Sequence, residues 1–330
     1  MKLLVTGGMG FIGSNFVRYW LDKHPEDEVV NLDKLTYAGN PANVEDLRDR
    51  PQHRFIQGDA AARRWIDRLF ETEQFDYVVH FAAESHVDRS IRDPGRFVKT
   101  NVAGTQHLLQ ASLNHRIKRY VQISTDEVYG SLGPEGLFSE TTPLAPNSPY
   151  SASKASADLL ARAYFETFGL PVLITRCSNN YGPYQFPEKL IPTIITRALR
   201  NEDIPIYGDG RNIRDWLYVE DHCSAIELVL LKGEPGQVYN IGGRNEHTNL
   251  DIARRILREL GKPDSLIKFV PDRLGHDRRY AIDAAKIENE LGWRAVENFD
   301  TGLKKTLQWY VKHTDWWQDI LSGRYRQLLP

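Results

Sequence analysis

Short apolar, β-branched runs alternate with amphipathic stretches through the first half of the chain. Leu3–Thr6, Val29–Leu32, Arg54–Gln57, Tyr77–Phe81, Tyr120–Ser124 and Val172–Arg176 have the length and composition of buried strands, and helical periodicity fills the segments between them. Strands alternating with helices build a parallel sheet, and right-handed crossovers cover both of its faces. The pattern therefore predicts an α/β fold, a doubly wound parallel sheet of the Rossmann type. After about Gly182 the rhythm loosens: Pro183, Pro187 and Pro192 mark turns and helix starts, and Ile204–Tyr207 and Lys268–Val270 read as short strands. A smaller C-terminal lobe is expected there, giving domains 1–182 and 183–330. Gln237–Ile241 is strand-like and suited to rejoin the main sheet, so that about 215–245 returns to the first domain.

Composition narrows the possible partners. At 330 residues the chain is long enough for one large domain or two fused lobes, and 41% hydrophobic with 26% charged residues is ordinary for a globular protein. Net charge is −2 with Lys and Arg dispersed, so no basic face is expected and nucleic acid is not an expected partner. Cys177 and Cys223 are far apart and the ten His residues show no ligand spacing, so neither a disulfide framework nor a metal site is expected. A reducing, cytoplasmic compartment fits this usage. The apolar start Met1–Val5 ends at Thr6-Gly7-Gly8 and reads as a first strand rather than a leader, and no apolar run approaches the roughly 18 residues that span a bilayer.

The first strand runs directly into glycines at 7, 10 and 13, followed by helical periodicity from Ser14 to Leu21. Gly7 suits a tight turn, Gly10 close backbone approach to a pyrophosphate and Gly13 close helix–strand packing, with phosphate at the helix N-terminus. Asp33 closes the second strand, where a carboxylate accepts hydrogen bonds from an adenosine ribose and repels a 2′-phosphate. NAD is therefore expected rather than NADP, a preference that the neighbouring Lys34 would weaken. Asp59, after the third strand, is placed to reach the adenine or else to serve an ordinary turn. Ala82 and Ala83, after the fourth, supply small side chains either for a cofactor crossing the sheet edge or for packing.

Tyr150 and Lys154 stand four residues apart at the start of a predicted helix, on one face, where an ammonium favours a phenolate. With a nicotinamide beside it, such a phenol removes a hydroxyl proton while hydride leaves the same carbon. The fifth strand ends in Ser124-Thr125-Asp126-Glu127-Val128-Tyr129-Gly130, at the strand edge where ligands bind in this architecture. Thr125 suits a hydrogen bond to the reacting hydroxyl. Asp126 and Glu127 are either solvated surface acids or an acid and a base whose environments hold their pKa values apart.

These motifs resemble the extended short-chain dehydrogenase/reductase family, and within it the branch that dehydrates nucleotide sugars. The resemblance covers nearly the whole chain. It rests on Thr6–Asn15, Leu32–Asn40, Ala82–Ser90, Ser124–Gly130, Pro149–Ala155, Asn179–Pro183 and Phe186–Pro192. The Thr125-Asp126-Glu127 triplet discriminates, because simple 4-epimerases of the family lack the acid pair. The resemblance implies a catalytic set of Thr125, Asp126, Glu127, Tyr150 and Lys154, with dTDP-glucose as the nucleotide-sugar substrate. Tyr150 would act at C4, Glu127 would remove the C5 proton and Asp126 would protonate the departing C6 hydroxyl. A lyase that ends with a 4-keto-6-deoxy sugar, as in deoxysugar and rhamnose biosynthesis, is the implied activity.

For tightly held NAD the resemblance implies Phe11, Ile12, Asp33, Lys34, Leu35, Thr36, Asp59, Ala60, Phe81, Ala82, Ala83, Ser85, Thr100, Tyr150, Lys154 and Asn180, beside the glycines. For the substrate it implies Ser85, Thr125, Asn179, Lys189, Leu190, Pro205, Ile206, Tyr207, Arg214, Asn249, Asp272, Arg273, Gly275 and His276. Arg214 and Arg273 suit a diphosphate, and Ile206 with Tyr207 a nucleobase; each has a plain surface or packing role as its alternative. Ala60 and Leu274 depart from the family pattern, which usually carries a larger apolar residue and a Pro there. A homodimer through helices at about Val98–Asn114 and Ser151–Phe168 is also implied. The alternatives are a dehydratase or epimerase of another nucleotide sugar, and a non-catalytic NAD-binding protein.

Overall fold

A computed structural model of the chain describes residues 1–272 and 274–328, with side chains through Arg326. Its strands in chain order are β1 (Lys2–Thr6), β2 (Glu28–Asp33), β3 (His53–Gln57), β4 (Tyr77–His80), β5 (Arg119–Thr125), β6 (Val172–Cys177), β7 (Asn179–Tyr181), β8 (Ile204–Tyr207), β9 (Ile213–Tyr218), β10 (Val238–Ile241), β11 (Glu246–Thr248) and β12 (Ile267–Val270). Seven of them form one sheet in the order β10-β6-β5-β4-β1-β2-β3. Every pairing in it is parallel. The order reverses between β1 and β4, which opens a crevice at the C-terminal strand ends.

Alternation along the strands divides the core in two. Leu3, Val5, Val79, Val121 and Leu173 face the layer built on Phe16, Trp20 and Val229, which belong to helices Phe11–Lys23 and Val219–Lys232. Leu4, Val30, Val78, Tyr120 and Val172 face the other layer, with Ile66, Phe70, Leu108 and Ala161 from helices Arg63–Thr72, Gly104–Asn114 and Pro149–Phe168. The strands read from the sequence agree with these to within about a residue at each end. The last of the helices begins two residues earlier than expected, because Ser148 and Ser151 cap each other and Pro149 occupies the first turn. The expected helix from Val98 opens instead with a π-helical turn, Val98–Ala103.

The second lobe holds the three-stranded sheet β11-β9-β7 and the two-stranded β12-β8 around a separate core that includes Tyr181, Ile195, Trp216, Ile252, Leu303 and Trp317. Among the described residues no helix is long and apolar enough to cross a membrane.

Candidate active site

The crevice at the strand ends is one cavity, and the glycine turn forms its floor. Gly7 has φ +76°, and a Cβ there would lie 2.7 Å from Ala82 N, so the turn and the end of β4 meet only through a glycine. A Cβ on Gly13 would lie 2.3 Å from Gly7 O, which is the close helix–strand approach expected of the third glycine. Gly10 caps the following helix with no side-chain hydrogen bond, leaving its first N–H groups for an anion.

Gly7, Gly10, Phe11, Ile12, Gly13, Asp33, Lys34, Thr36, Asp59, Ala60, Phe81, Ala82, Ala83, Ser85, Thr100 and Asn180 line the cavity together with Thr125, Asp126, Glu127, Tyr150 and Lys154. Asp33 is fixed by Met9 N at 3.0 Å and Leu35 N at 2.8 Å. Lys34 pairs with Asp59 at 2.6 Å, which engages the cation that would otherwise offset Asp33. Leu35 does not line the cavity. It is buried with φ +54°, and its backbone N–H holds Asp33 rather than its side chain meeting a ligand. These residues fit a dinucleotide: a bare helix N-terminus for phosphate, an anchored carboxylate for ribose and small residues at 82 and 83 where a cofactor would cross the sheet edge.

Tyr150 and Lys154 are both buried on the cavity side of helix Pro149–Phe168. Lys154 Nζ donates to Ile123 O at 2.6 Å, and burial pulls its pKa below the usual lysine value against the opposing charges of Asp158 and Cys177. Burial, then the nearby Glu127, pushes the Tyr150 phenol well above its ordinary value, while a hydrogen bond with Thr125 opposes that rise. Burial here outweighs the lysine cation, so a phenolate at Tyr150 would draw on the positive charge of a bound nicotinamide as well. Asp126 is 1% exposed. Burial, with Glu127 and Asp215 close by, drives its carboxyl well above the usual range, which favours the acid form. Thr125 Oγ1 donates to Asp126 Oδ1 at 3.2 Å, whereas Asp126 Oδ2 is buried with no partner. Asn179 Oδ1 is likewise buried and unpartnered in the same cavity.

Ser85, Asn179 and Lys189 are the other expected substrate residues that reach this cavity, and Lys189 Nζ donates to Ser85 O at 3.0 Å. Tyr207, Asp272 and His276 gather elsewhere in the second lobe: His276 Nδ1 lies 2.6 Å from Asp272 Oδ1, and its ring centroid is 6.4 Å from that of Tyr207. Gly275, with φ +62°, turns the chain beside them. Arg214 joins the two regions, donating to Asp277 O at 2.9 Å while its charge acts on Asp126. Asn249 sits at the start of a helix with its Oδ1 buried and unpartnered. Ile206 is 1% exposed in the second core, because alternation along β8 turns Tyr207 outward and Ile206 inward. Pro205 is half-buried on the same strand, and Leu190 packs on that core from the start of its helix. Arg273 lies outside the described residues. Leu274 is 79% exposed.

Sequence reasoning missed Glu188, which lines the cavity and accepts from Tyr37 Oη at 2.8 Å and Arg89 at 3.3 Å. It lies inside the Phe186–Pro192 stretch, next to Lys189, and that stretch is the signal that points to it. His222 was missed for want of any local signal. It is fully buried, and its Nδ1 meets Asn180 Oδ1 at 2.9 Å, orienting an amide of the cavity wall. Among the described residues no group of three His, Cys, Asp or Glu is placed to hold a metal ion.

A doubly wound sheet with a glycine turn at its switch point, two carboxyl groups at the end of β5 and a Tyr–Lys pair on the helix beside them defines a short-chain dehydrogenase/reductase equipped for elimination. The chain belongs to the family described as GDP-mannose 4,6 dehydratase, whose model matches residues 4–306. It is 52% identical to a dTDP-glucose 4,6-dehydratase of Neisseria meningitidis serogroup B, over 98% of this chain and 97% of the relative. It is 50% identical to the enzyme of that name from Salmonella typhimurium, over 99% and 97%. Among solved structures, DesIV of Streptomyces venezuelae, a dTDP-glucose 4,6-dehydratase with NAD and TYD bound, superimposes with a TM-score of 0.94 at 51% identity, covering 97% of this chain and 100% of that one. UDP-glucose 4-epimerase of Thermotoga maritima gives 0.89 at 30% identity, covering 95% and 100%.

Proposed function

We propose that this chain converts dTDP-glucose to dTDP-4-keto-6-deoxy-glucose and water, with NAD regenerated in each turnover. The observation that carries the reading is the place of Asp126: a buried carboxyl, Oδ2 unpartnered, whose acid form burial favours, beside Glu127 in the cavity that holds Tyr150 and Lys154. Oxidation at C4 needs, besides NAD, a single base at the hydroxyl, whereas elimination needs a proton donor and a proton acceptor together. The names of the relatives point to the same reaction and nucleotide.

NAD, held by the glycine turn, Asp33, Thr100 and Asn180, supplies the acceptor for the C4 hydrogen with its electron pair and the donor that returns both at C6. Tyr150, as the phenolate that Lys154 and a bound nicotinamide cation would together favour, takes the C4 hydroxyl proton, with Thr125 orienting the hydroxyl. The 4-keto group acidifies C5. Glu127 removes the C5 proton while Asp126 gives its proton to the C6 hydroxyl, which leaves as water and creates a C5=C6 double bond. After reduction at C6, Glu127 returns its proton to C5. The proton gained by Tyr150 replaces the one lost by Asp126, so the protein ends as it began.

Residues 1–182, with the strand at 238–241, carry NAD in this reading. The remainder carries the nucleotide sugar, with the diphosphate at Arg214 and the base beside Tyr207. Exposed Val98, Leu159 and Phe168 on the two long helices fit a homodimer, and two free buried cysteines fit a cytoplasmic site. The test is incubation of the purified protein with dTDP-glucose and no added NAD, followed by mass. Loss of one water is expected; an unchanged mass, with NAD shown to be bound, would overturn the reading.

A further inference from the structure

Behind the active site, and outside its lining, four buried side chains from four elements form one network. Arg176 on β6 is 7% exposed, and its Nε donates to Asp158 Oδ2 at 2.9 Å. Its Nη1 donates to Tyr129 Oη at 3.0 Å, with the guanidinium carbon 4.9 Å from the Tyr129 ring centroid. Tyr129 Oη in turn donates to Asn240 Oδ1 on β10 at 2.7 Å. Asp158 also accepts from Ser124 Oγ at 2.9 Å, immediately before Thr125.

Each partner sits one short step from a reacting group. Asp158 lies on helix Pro149–Phe168 one turn after Lys154 and two after Tyr150. Tyr129 ends the single turn Asp126–Tyr129 that begins with the acid pair. Alternation along β6 turns Cys177 into the cavity and Arg176 to the opposite face, so Arg176 touches the machinery only through these partners.

A buried ion pair adds little net stability, because the desolvation of both charges offsets their attraction, and an apolar pair of similar volume fills such a space as well. What an apolar pair lacks is direction. The planar guanidinium holds two acceptors at a fixed separation and angle, and here they belong to the two elements that must cooperate. We infer that Arg176, through Asp158 and Tyr129, is a positioning residue that sets the distance between the Tyr150–Lys154 helix and the Asp126–Glu127 turn.

The inference rests on the proposed dehydration and makes a prediction specific to it. C4 oxidation draws on the helix, the cofactor and Thr125, which the end of β5 holds in the sheet ahead of the turn. Elimination requires C5 and C6 to meet the turn while C4 stays at Tyr150, so it alone depends on that distance.

The experiment is a quenched single turnover of NAD-loaded protein with dTDP-glucose, comparing wild type, Tyr129→Phe and Arg176→Lys. Tyr129→Phe removes one hydroxyl and leaves the ring stacked on Phe138 at 5.0 Å, so the fold is kept. In both variants C4 oxidation should stay within about twofold while elimination slows about tenfold or more, the scale of a small misplacement. A 4-keto hexose that still carries its C6 hydroxyl then accumulates, and uptake of solvent deuterium at C5 slows with elimination. A purely structural network would lower both steps in proportion to the folded fraction; that result, or no change in either variant, overturns the inference. Wild type distinguishes the two levels: if it leaves dTDP-glucose unchanged, the dehydratase reading fails and the positioning role with it.

Discussion

Asp126→Asn should separate catalysis from stability, in opposite directions. The substitution preserves shape and keeps an oxygen for the Thr125 hydroxyl, which lies 3.2 Å from Oδ1. At the Oδ2 position an amide N–H meets the same lack of a partner as the carboxyl O–H, so the variant should fold like wild type at low pH. What it loses is the proton for the leaving C6 hydroxyl. A positioned general acid is worth roughly 10²–10⁴ in rate, or about 3–5 kcal/mol of barrier. That loss is expected in product formation, while C4 oxidation by Tyr150 continues. Stability moves the other way with pH. Burial raises the carboxyl's pKa in the folded state above its unfolded value. Wild type is therefore fully stable below the ordinary carboxylate range and loses stability as pH rises toward the raised value. The amide does not titrate, so the Tm of the variant should gain on wild type steadily from acid to alkaline pH. Thermal melts of the NAD-loaded proteins across that range measure the difference. Parallel Tm curves would refute a buried, protonated Asp126, and undiminished turnover would refute its role as the acid.

Three further substitutions probe the rest of the site. Gly7→Ala puts a Cβ 2.7 Å from Ala82 N at φ +76°, so left-handed strain and overpacking together should cost about 2–5 kcal/mol; a lower urea midpoint and weakened NAD binding check it, and an unchanged midpoint contradicts it. Glu127→Gln should permit C4 oxidation and abolish solvent exchange at C5, seen as an oxidised hexose of undiminished oxygen count. Tyr150→Phe should lower the oxidation step itself by roughly 10²–10⁴, with the sugar recovered unchanged and NAD still bound.

The central sheet was legible because parallel strands buried on both faces read as continuous apolar runs, and the glycine turn and acid pair because each is a local motif. β9 was not legible. Its Arg214 and Asp215 interrupt the apolar run, yet both are buried, with Asp215 accepting from Gly243 N at 2.9 Å and Asn245 N at 2.6 Å. Partners some thirty residues away hold Asp215, and Asp277 O, 63 residues away, accepts from Arg214, so nothing local signals them. That the Ile206 side chain turns into the second core, and that Leu35 meets Asp33 through its backbone N–H, was hidden for a related reason: a motif names a position, whereas the side chain's direction depends on the strand's register and the turn's φ. Arg176, Asp158, Tyr129 and Asn240 carry no motif at all, and only the folded chain brings them together.

The most direct test of the whole account follows one hydrogen. dTDP-glucose carrying deuterium at C4 is converted by the protein in ordinary water with unlabelled, catalytic NAD, and the product is examined by NMR. Removal at C4 and return at C6 within one closed active site predict deuterium at C6 of the 4-keto-6-deoxy sugar, retained in full. Product that has lost the label, or label that stays at C4, would contradict it.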